Sequence, residues 1–129
     1  MTFTELIKES NVNSSGILKL KYDDVCSKNL NPLMNEHCVY MIECNNEIVY
    51  IGQSEVIRYR LMQHKYKLNF DCVYIGCMSE GCSYRDMLFM ETYLIGIAEP
   101  VLNFSDFTRK TFESKDIKYL AKHITYIGA

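Results

Sequence analysis

Apolar and polar positions alternate along some stretches of this chain and recur at helical spacing along others. Val39 to Ile42 and Ile48 to Gly52 alternate and read as two strands of a hairpin, with Asn45-Asn46 marking the turn. Phe70 to Met78, FDCVYIGCM, is rich in β-formers and predicts a third strand. Ile17 to Tyr22 alternates at its end and predicts a short edge strand. Residues 2–9 predict one or two helical turns, and the polar run from Ser10 to Gly16 a loop. Ser54 suits the N-cap of a helix reaching about Lys67, with Val56, Ile57 and Leu61 at core spacing. Ser83 followed by Asp86 makes a capping-box pattern for a second helix, which runs to about Ala98 before Pro100 stops it. Glu113 to about His123 predicts a third helix. Between Asp23 and Glu36 the pattern is thin; Asn31-Pro32 marks a turn, and a short extra helix fits there.

The order hairpin, helix, strand, helix predicts a small mixed α+β domain. Its centre is a three-stranded, largely antiparallel sheet flanked by helices. At 129 residues, with no linker or low-complexity stretch, the chain is expected to form a single domain over 1–129.

Composition narrows the class of partner. Apolar residues make up 48% of the chain, enough for a sizeable core, yet no apolar run approaches the roughly 18 residues that span a bilayer. The opening MTFTELIKES has acidic residues and no apolar stretch of signal-peptide type. A net charge of −2 argues against a generic nucleic-acid coat, but Arg58, Arg60, Lys65 and Lys67 cluster on and after the first long helix, beside His64. Six cysteines are many for this length. None form a CxxC pair, which argues against zinc and for reduced, buried thiols in a cytoplasmic, reducing compartment.

Three features carry candidate chemistry. On the second helix, Met87, Met90, Leu94 and Ile97 share one face, and Glu91 lies on that face with them. A carboxylate there needs compensation: an Arg, backbone N–H groups, or a hard divalent cation with oxygen ligands. On the first helix, Arg60 and His64 are i and i+4 and project from one flank. Arg60 there suits either a phosphate or a surface ion pair. On the hairpin, Tyr40 and Tyr50 act together only if the register puts them on one face. A plain two-residue turn pairs Tyr40 with Ile51 and separates them, so a shared site demands an odd-length loop or a bulge.

These residues in this order resemble the GIY-YIG nuclease domain. The first signature tripeptide stands as Cys38-Val39-Tyr40 and the second as Tyr50-Ile51-Gly52, followed by Gln53-Ser54. The family's arginine ten residues on matches Arg60, and the His or Tyr one helical turn later matches His64. Its metal-binding glutamate matches Glu91 in METYLIGIAEP, and an asparagine after a proline matches Asn103. Tyr-Ile-Gly alone says nothing, since it recurs at Tyr74 and Tyr126. The resemblance spans about 37–104 and makes that stretch the nuclease core, with 1–36 and 105–129 as short flanking elements.

The resemblance implies an endonuclease that hydrolyses phosphodiester bonds in DNA with one Mg²⁺ or Mn²⁺. Glu91 would hold the metal. Arg60 would stabilise transition-state charge, and Tyr40, Tyr50 and His64 would position and deprotonate the attacking water, with the base left open among them. The basic cluster, read from charge alone, adds Arg58, Lys65 and Lys67 as contacts to the DNA backbone; Gly52 and Asn103 would support the site, Asn103 by hydrogen-bonding the hairpin or Tyr40. Cys38 departs from the family's first glycine, but no chemistry rests on that side chain. The flanks are too short for a separate DNA-reading module, so specificity would come from them, from a homodimer or from a protein partner. The alternative is an inactive module on the same fold that binds nucleic acid or a protein.

Overall fold

The turn of the hairpin shows how the chain solves its register. The structure, a computed structural model, describes residues 1–33, 35–103 and 124–125. Strand β2 (Cys38–Cys44) turns into β3 (Glu47–Ser54) through Asn45 and Asn46 alone, whose φ angles of 52° and 62° are left-handed. Asparagine tolerates that region, and two such residues twist the strands in the direction a two-residue hairpin needs. Cys44 therefore pairs with Glu47 and Glu43 with Ile48. The ladder then shifts, so that Ile42 pairs with Tyr50 and Tyr40 with Gly52. Val49 is the extra residue of a β-bulge, and the bulge puts Tyr40 and Tyr50 on the same face of the sheet.

The remaining strands are β1 (Leu18–Lys21), β4 (Cys72–Met78) and β5 (Ile124–Thr125). The sheet order is β1-β4-β2-β3, with every neighbouring pair antiparallel, and the two-residue β5 pairs with the end of β4 beyond β1. The three-strand expectation is thus corrected to four strands plus this short addition. The fourth is β1, where the alternation between Ile17 and Tyr22 predicts a short edge strand, and it pairs antiparallel with β4.

Both faces of the sheet are covered, which is why β2 and β4 are buried along nearly their whole length. On one face α1 (Phe3–Ser10) and α3 (Tyr84–Ala98) enclose Val39, Met41, Ile51, Met87, Met90 and Leu94. On the other, α2 (Ile57–Lys67) and the chain between β1 and β2 cover Tyr40, Ile42, Ile57, Leu61, Val73 and Ile75. That connection, weak in sequence pattern, folds as two 3₁₀ turns at Tyr22–Asp24 and Asn31–Leu33 and anchors itself with Val25, Leu30 and Leu33.

Two helix starts contrast. Ser83 caps α3 as its pattern predicts: its hydroxyl accepts from the Asp86 N–H at 3.2 Å, and its own N–H donates to Asp86 Oδ2 at 2.9 Å. Ser54 does not cap α2. It pairs with Cys38 as the last residue of β3, so its backbone belongs to the sheet, and its hydroxyl accepts from the Val56 N–H at 2.9 Å. The helix begins only at Ile57. The helix expected from Glu113 to about His123 lies outside the described residues. Among the described residues no helix is long and apolar enough to cross a membrane. All six cysteines are free thiols.

Candidate active site

The face of the sheet under α2 brings three aromatic rings together. Tyr40 projects from β2 beneath the helix and is 1% exposed. Its ring lies across Gly52, its cross-strand partner: a Cβ added to Gly52 would fall 2.5 Å from Tyr40 Cζ and Oη. Glycine is therefore required there by close approach rather than by an unusual φ. With the ring seated on that gap, Tyr40 Oη reaches His64 Nε2 at 2.6 Å. Tyr50, on the same face through the bulge, stands with its ring centroid 6.0 Å from that of Tyr40 and 4.8 Å from that of His64. The sequence pattern pointed to each of these residues, but the hydrogen bond between Tyr40 and His64 depends on how α2 crosses the sheet.

Asn103 fastens the same strand from behind. It lies in a 3₁₀ turn (Val101–Asn103) after α3 and makes two hydrogen bonds to one residue of β3. Its Oδ1 accepts from the Ile51 N–H and its Nδ2 donates to the Ile51 carbonyl, both at 2.8 Å. Among the described residues β3 is the edge strand of the sheet, so this amide supplies the backbone partners that a further strand would have given. The support expected of Asn103 goes to the hairpin backbone and not to Tyr40.

The electrostatics separate the groups by role. Burial holds the Tyr40 phenol well above its ordinary value, and Tyr50 adds to this while Arg60 opposes it. Tyr40 thus keeps its proton at neutral pH. His64 is shifted the other way: burial lowers it, and the Arg60 and Lys67 charges lower it further. The short hydrogen bond thus joins a neutral imidazole to a protonated phenol, and in the tautomer protonated at Nδ1 Tyr40 donates to Nε2.

Glu91 is the outlier. It projects from α3 within the arc of Met87, Met90, Leu94 and Ile95, all buried. Desolvation pushes its carboxyl up to about 7 against the pull of Arg60. Among the described residues it has no hydrogen-bond donor and no ion-pair partner. Its charge also acts on Tyr40, which ties it to the aromatic cluster although α3 packs on the opposite face of the sheet. The edge position of β3 makes this reach possible, because α3 packs on β3 and β3 is the last strand of the sheet among the described residues.

Comparison with protein-family models, with curated proteins and with solved structures finds no match.

The basic residues of α2 divide between two flanks. Arg60, His64 and Lys67 stand at i, i+4 and i+7 and share the flank turned to the site. Arg58 and Lys65 are seven apart on another flank, so the structure does not bring them to the cluster. Lys65 Nζ instead lies 4.7 Å from the centre of the Tyr22 ring, and the Tyr22 hydroxyl donates to the Lys65 carbonyl at 3.1 Å.

As for a metal, no three His, Cys, Asp or Glu side chains gather into a binding group among the described residues. Glu91 stands as a single carboxylate. A half-buried carboxylate with no protein donor and a raised proton affinity suits a hard cation that keeps most of its water, as Mg²⁺ does. Sequence reasoning passed over three further residues, Tyr59, Met62 and Tyr66, which are large, exposed and set on the outward side of α2. Their signal was available: apolar bulk at helical spacing on the side opposite Ile57 and Leu61.

Proposed function

We propose that this protein is a divalent-metal-dependent endonuclease of GIY-YIG type that hydrolyses phosphodiester bonds in DNA. The observation that carries the reading is Glu91, a carboxyl kept in an apolar arc without a protein partner, within electrostatic reach of Arg60 and of the Tyr40–His64 pair. A fold has no stability reason to keep such a group. A phosphate-cleaving site has one.

Glu91 would hold one Mg²⁺ or Mn²⁺, which supplies polarisation of the phosphate and neutralisation of charge on the departing oxygen. Arg60 binds the scissile phosphate and stabilises the added negative charge of the transition state. Water attacks phosphorus while Tyr40 Oη takes its proton and passes its own to His64 Nε2 across the 2.6 Å hydrogen bond. The water O–H bond breaks, a bond to phosphorus forms, and the proton rests on the imidazole. The leaving alkoxide is protonated by solvent. Tyr50 holds the attacking water beside Tyr40. A phosphate on Arg60 and Lys67 also cancels the repulsion that lowers His64, so substrate binding makes the imidazole a better base. Gly52 and Asn103 position Tyr40 and β3 for these steps. Membrane insertion is no part of this reading. A homodimer or a protein partner would supply sequence specificity, and a cytoplasmic setting fits the free thiols.

The test is cleavage of plasmid and single-stranded DNA with Mg²⁺ or Mn²⁺, comparing wild type with Glu91→Ala and Arg60→Ala. Wild type should cut, and each variant should lose at least about a hundredfold. Activity that survives Glu91→Ala removes the metal assignment. No activity in any version favours a non-catalytic binding module.

A further inference from the structure

Helix α2 turns Arg60 and His64 toward the site, but its opposite side is built for contact as well. Tyr66 is 92% exposed, Tyr59 58% and Met62 45%. With Gln63 and Lys67 they line a shallow groove of about 470 Å³. Clustered exposed aromatics of this kind mark an interaction surface, whereas single exposed apolar residues are ordinary.

The charge of the helix selects the partner. α2 carries Arg58, Arg60, Lys65 and Lys67 and no carboxylate, in a chain whose net charge is −2. Arg60 and Lys67 border the outward face on one side and Arg58 on the other, so a second copy docked through it would set like charge against like, whereas a polyanion fits. The two tyrosines offer flat faces, and bases are the flat groups of a nucleic acid. In a duplex those faces are stacked on one another and closed to a side chain; in an unpaired strand they are open. Lys67 both lines the groove and lies close enough to His64 to shift its titration, so the groove runs into the candidate site at Lys67.

We infer that the outward face of α2 binds an unpaired strand of the nucleic-acid substrate, with Tyr59 and Tyr66 stacking on its bases and Lys67 holding its phosphates. The substrate class is therefore DNA with a single-stranded segment beside the cleaved bond. The placement beside a cleaved bond rests on the nuclease reading, but the stacking does not. Tyr59 and Tyr66 lie seven residues apart, which is roughly 10 Å along a helix axis and three stacking intervals of a nucleic-acid strand. Two consecutive bases fit between the rings at that spacing.

The experiment is fluorescence anisotropy on the full chain in EDTA, so that nothing is cut. The probes are an oligo(dT) of about 15 nucleotides, a duplex of the same length and a poly-glutamate peptide. Wild type is compared with Tyr59→Ala/Tyr66→Ala and with Tyr59→Phe/Tyr66→Phe, each checked for an unchanged melting temperature. The alanine pair should weaken oligo(dT) binding at least about tenfold and duplex binding less than about twofold, and the phenylalanine pair should bind as wild type does. Equal loss on both nucleic acids, no loss on either, a phenylalanine pair as weak as the alanine pair, or binding of the peptide in place of oligo(dT) overturns the inference. Cleavage is scored separately. Tyrosine-dependent strand binding by a protein that cuts nothing upholds the inference and removes the nuclease reading. Cleavage by a protein whose strand binding ignores both tyrosines does the reverse.

Discussion

Replacing Glu91 with glutamine should make the protein more stable at alkaline pH while abolishing cleavage. In the unfolded chain a glutamate titrates near 4.5, and in the folded protein desolvation pushes Glu91 up to about 7. Each pH unit of that displacement corresponds to about 1.4 kcal/mol, so above neutrality the buried charge destabilises the fold by about 3 kcal/mol. The sign follows from proton counting. Between about pH 4.5 and pH 7 the native state holds a proton that the unfolded state has lost, so stability falls as pH rises through this window. Glutamine is neutral throughout and feels none of it.

Urea unfolding in EDTA should therefore show Glu91→Gln more stable than wild type by up to about 3 kcal/mol at pH 8, and by under about 1 kcal/mol at pH 5. At typical urea sensitivities the pH 8 difference moves the midpoint by about 1–2 M. Saturating Mg²⁺ should then raise the midpoint of wild type and leave that of the variant where it was. A glutamine variant less stable than wild type at pH 8, or a difference that does not change with pH, refutes the claim that Glu91 is held against the interests of the fold.

Three further outcomes follow from the same geometry. At low Mg²⁺ the cleavage rate should rise with pH through about 7, and the midpoint should fall as Mg²⁺ is raised, because proton and cation compete for the Glu91 oxygens; a midpoint indifferent to Mg²⁺ would show that Glu91 is not the ligand. Gly52→Ala should cost about 1–3 kcal/mol in chemical unfolding and lose cleavage, since the new methyl would meet the 1% exposed Tyr40 ring at 2.5 Å and push its hydroxyl off His64. Asn103→Ala should lower the melting temperature by on the order of 5 °C, because it strips both 2.8 Å hydrogen bonds from Ile51 on an edge strand, and a calorimetric scan that finds no change would deny Asn103 its supporting role.

What the sequence determined by itself is local. Alternation placed the hairpin strands, and a run of β-formers placed the strand before α3, even though the folded sheet is covered on both faces. Ser83 and Asp86 announced their helix because a capping box is complete within four residues. Glu91 stood out because helical spacing alone sets it among Met87, Met90 and Leu94. The need for a bulge or an odd loop was also legible, since parity is a property of the chain. Which of the two occurs was not. Val49 bulges because Asn45 and Asn46 close a tight turn and the ladder must still seat Tyr40 on Gly52, three residues beyond Val49.

Only the tertiary structure decided the rest. Ser54 reads as a cap, yet the sheet claims its backbone through Cys38, and a hydrogen-bond ladder between distant segments leaves no local trace. The sequence predicted β1 as a short edge strand, but its pairing with β4 was decided only in the fold. Lys65 and Lys67 are neighbours in sequence, but helical rotation sends one to the Tyr22 ring and the other to His64. The chemistry of the site came last of all. Tyr40 keeps its proton and His64 stays neutral in their 2.6 Å hydrogen bond because α2 buries both together, and desolvation is a property of packing that no residue carries in its own identity.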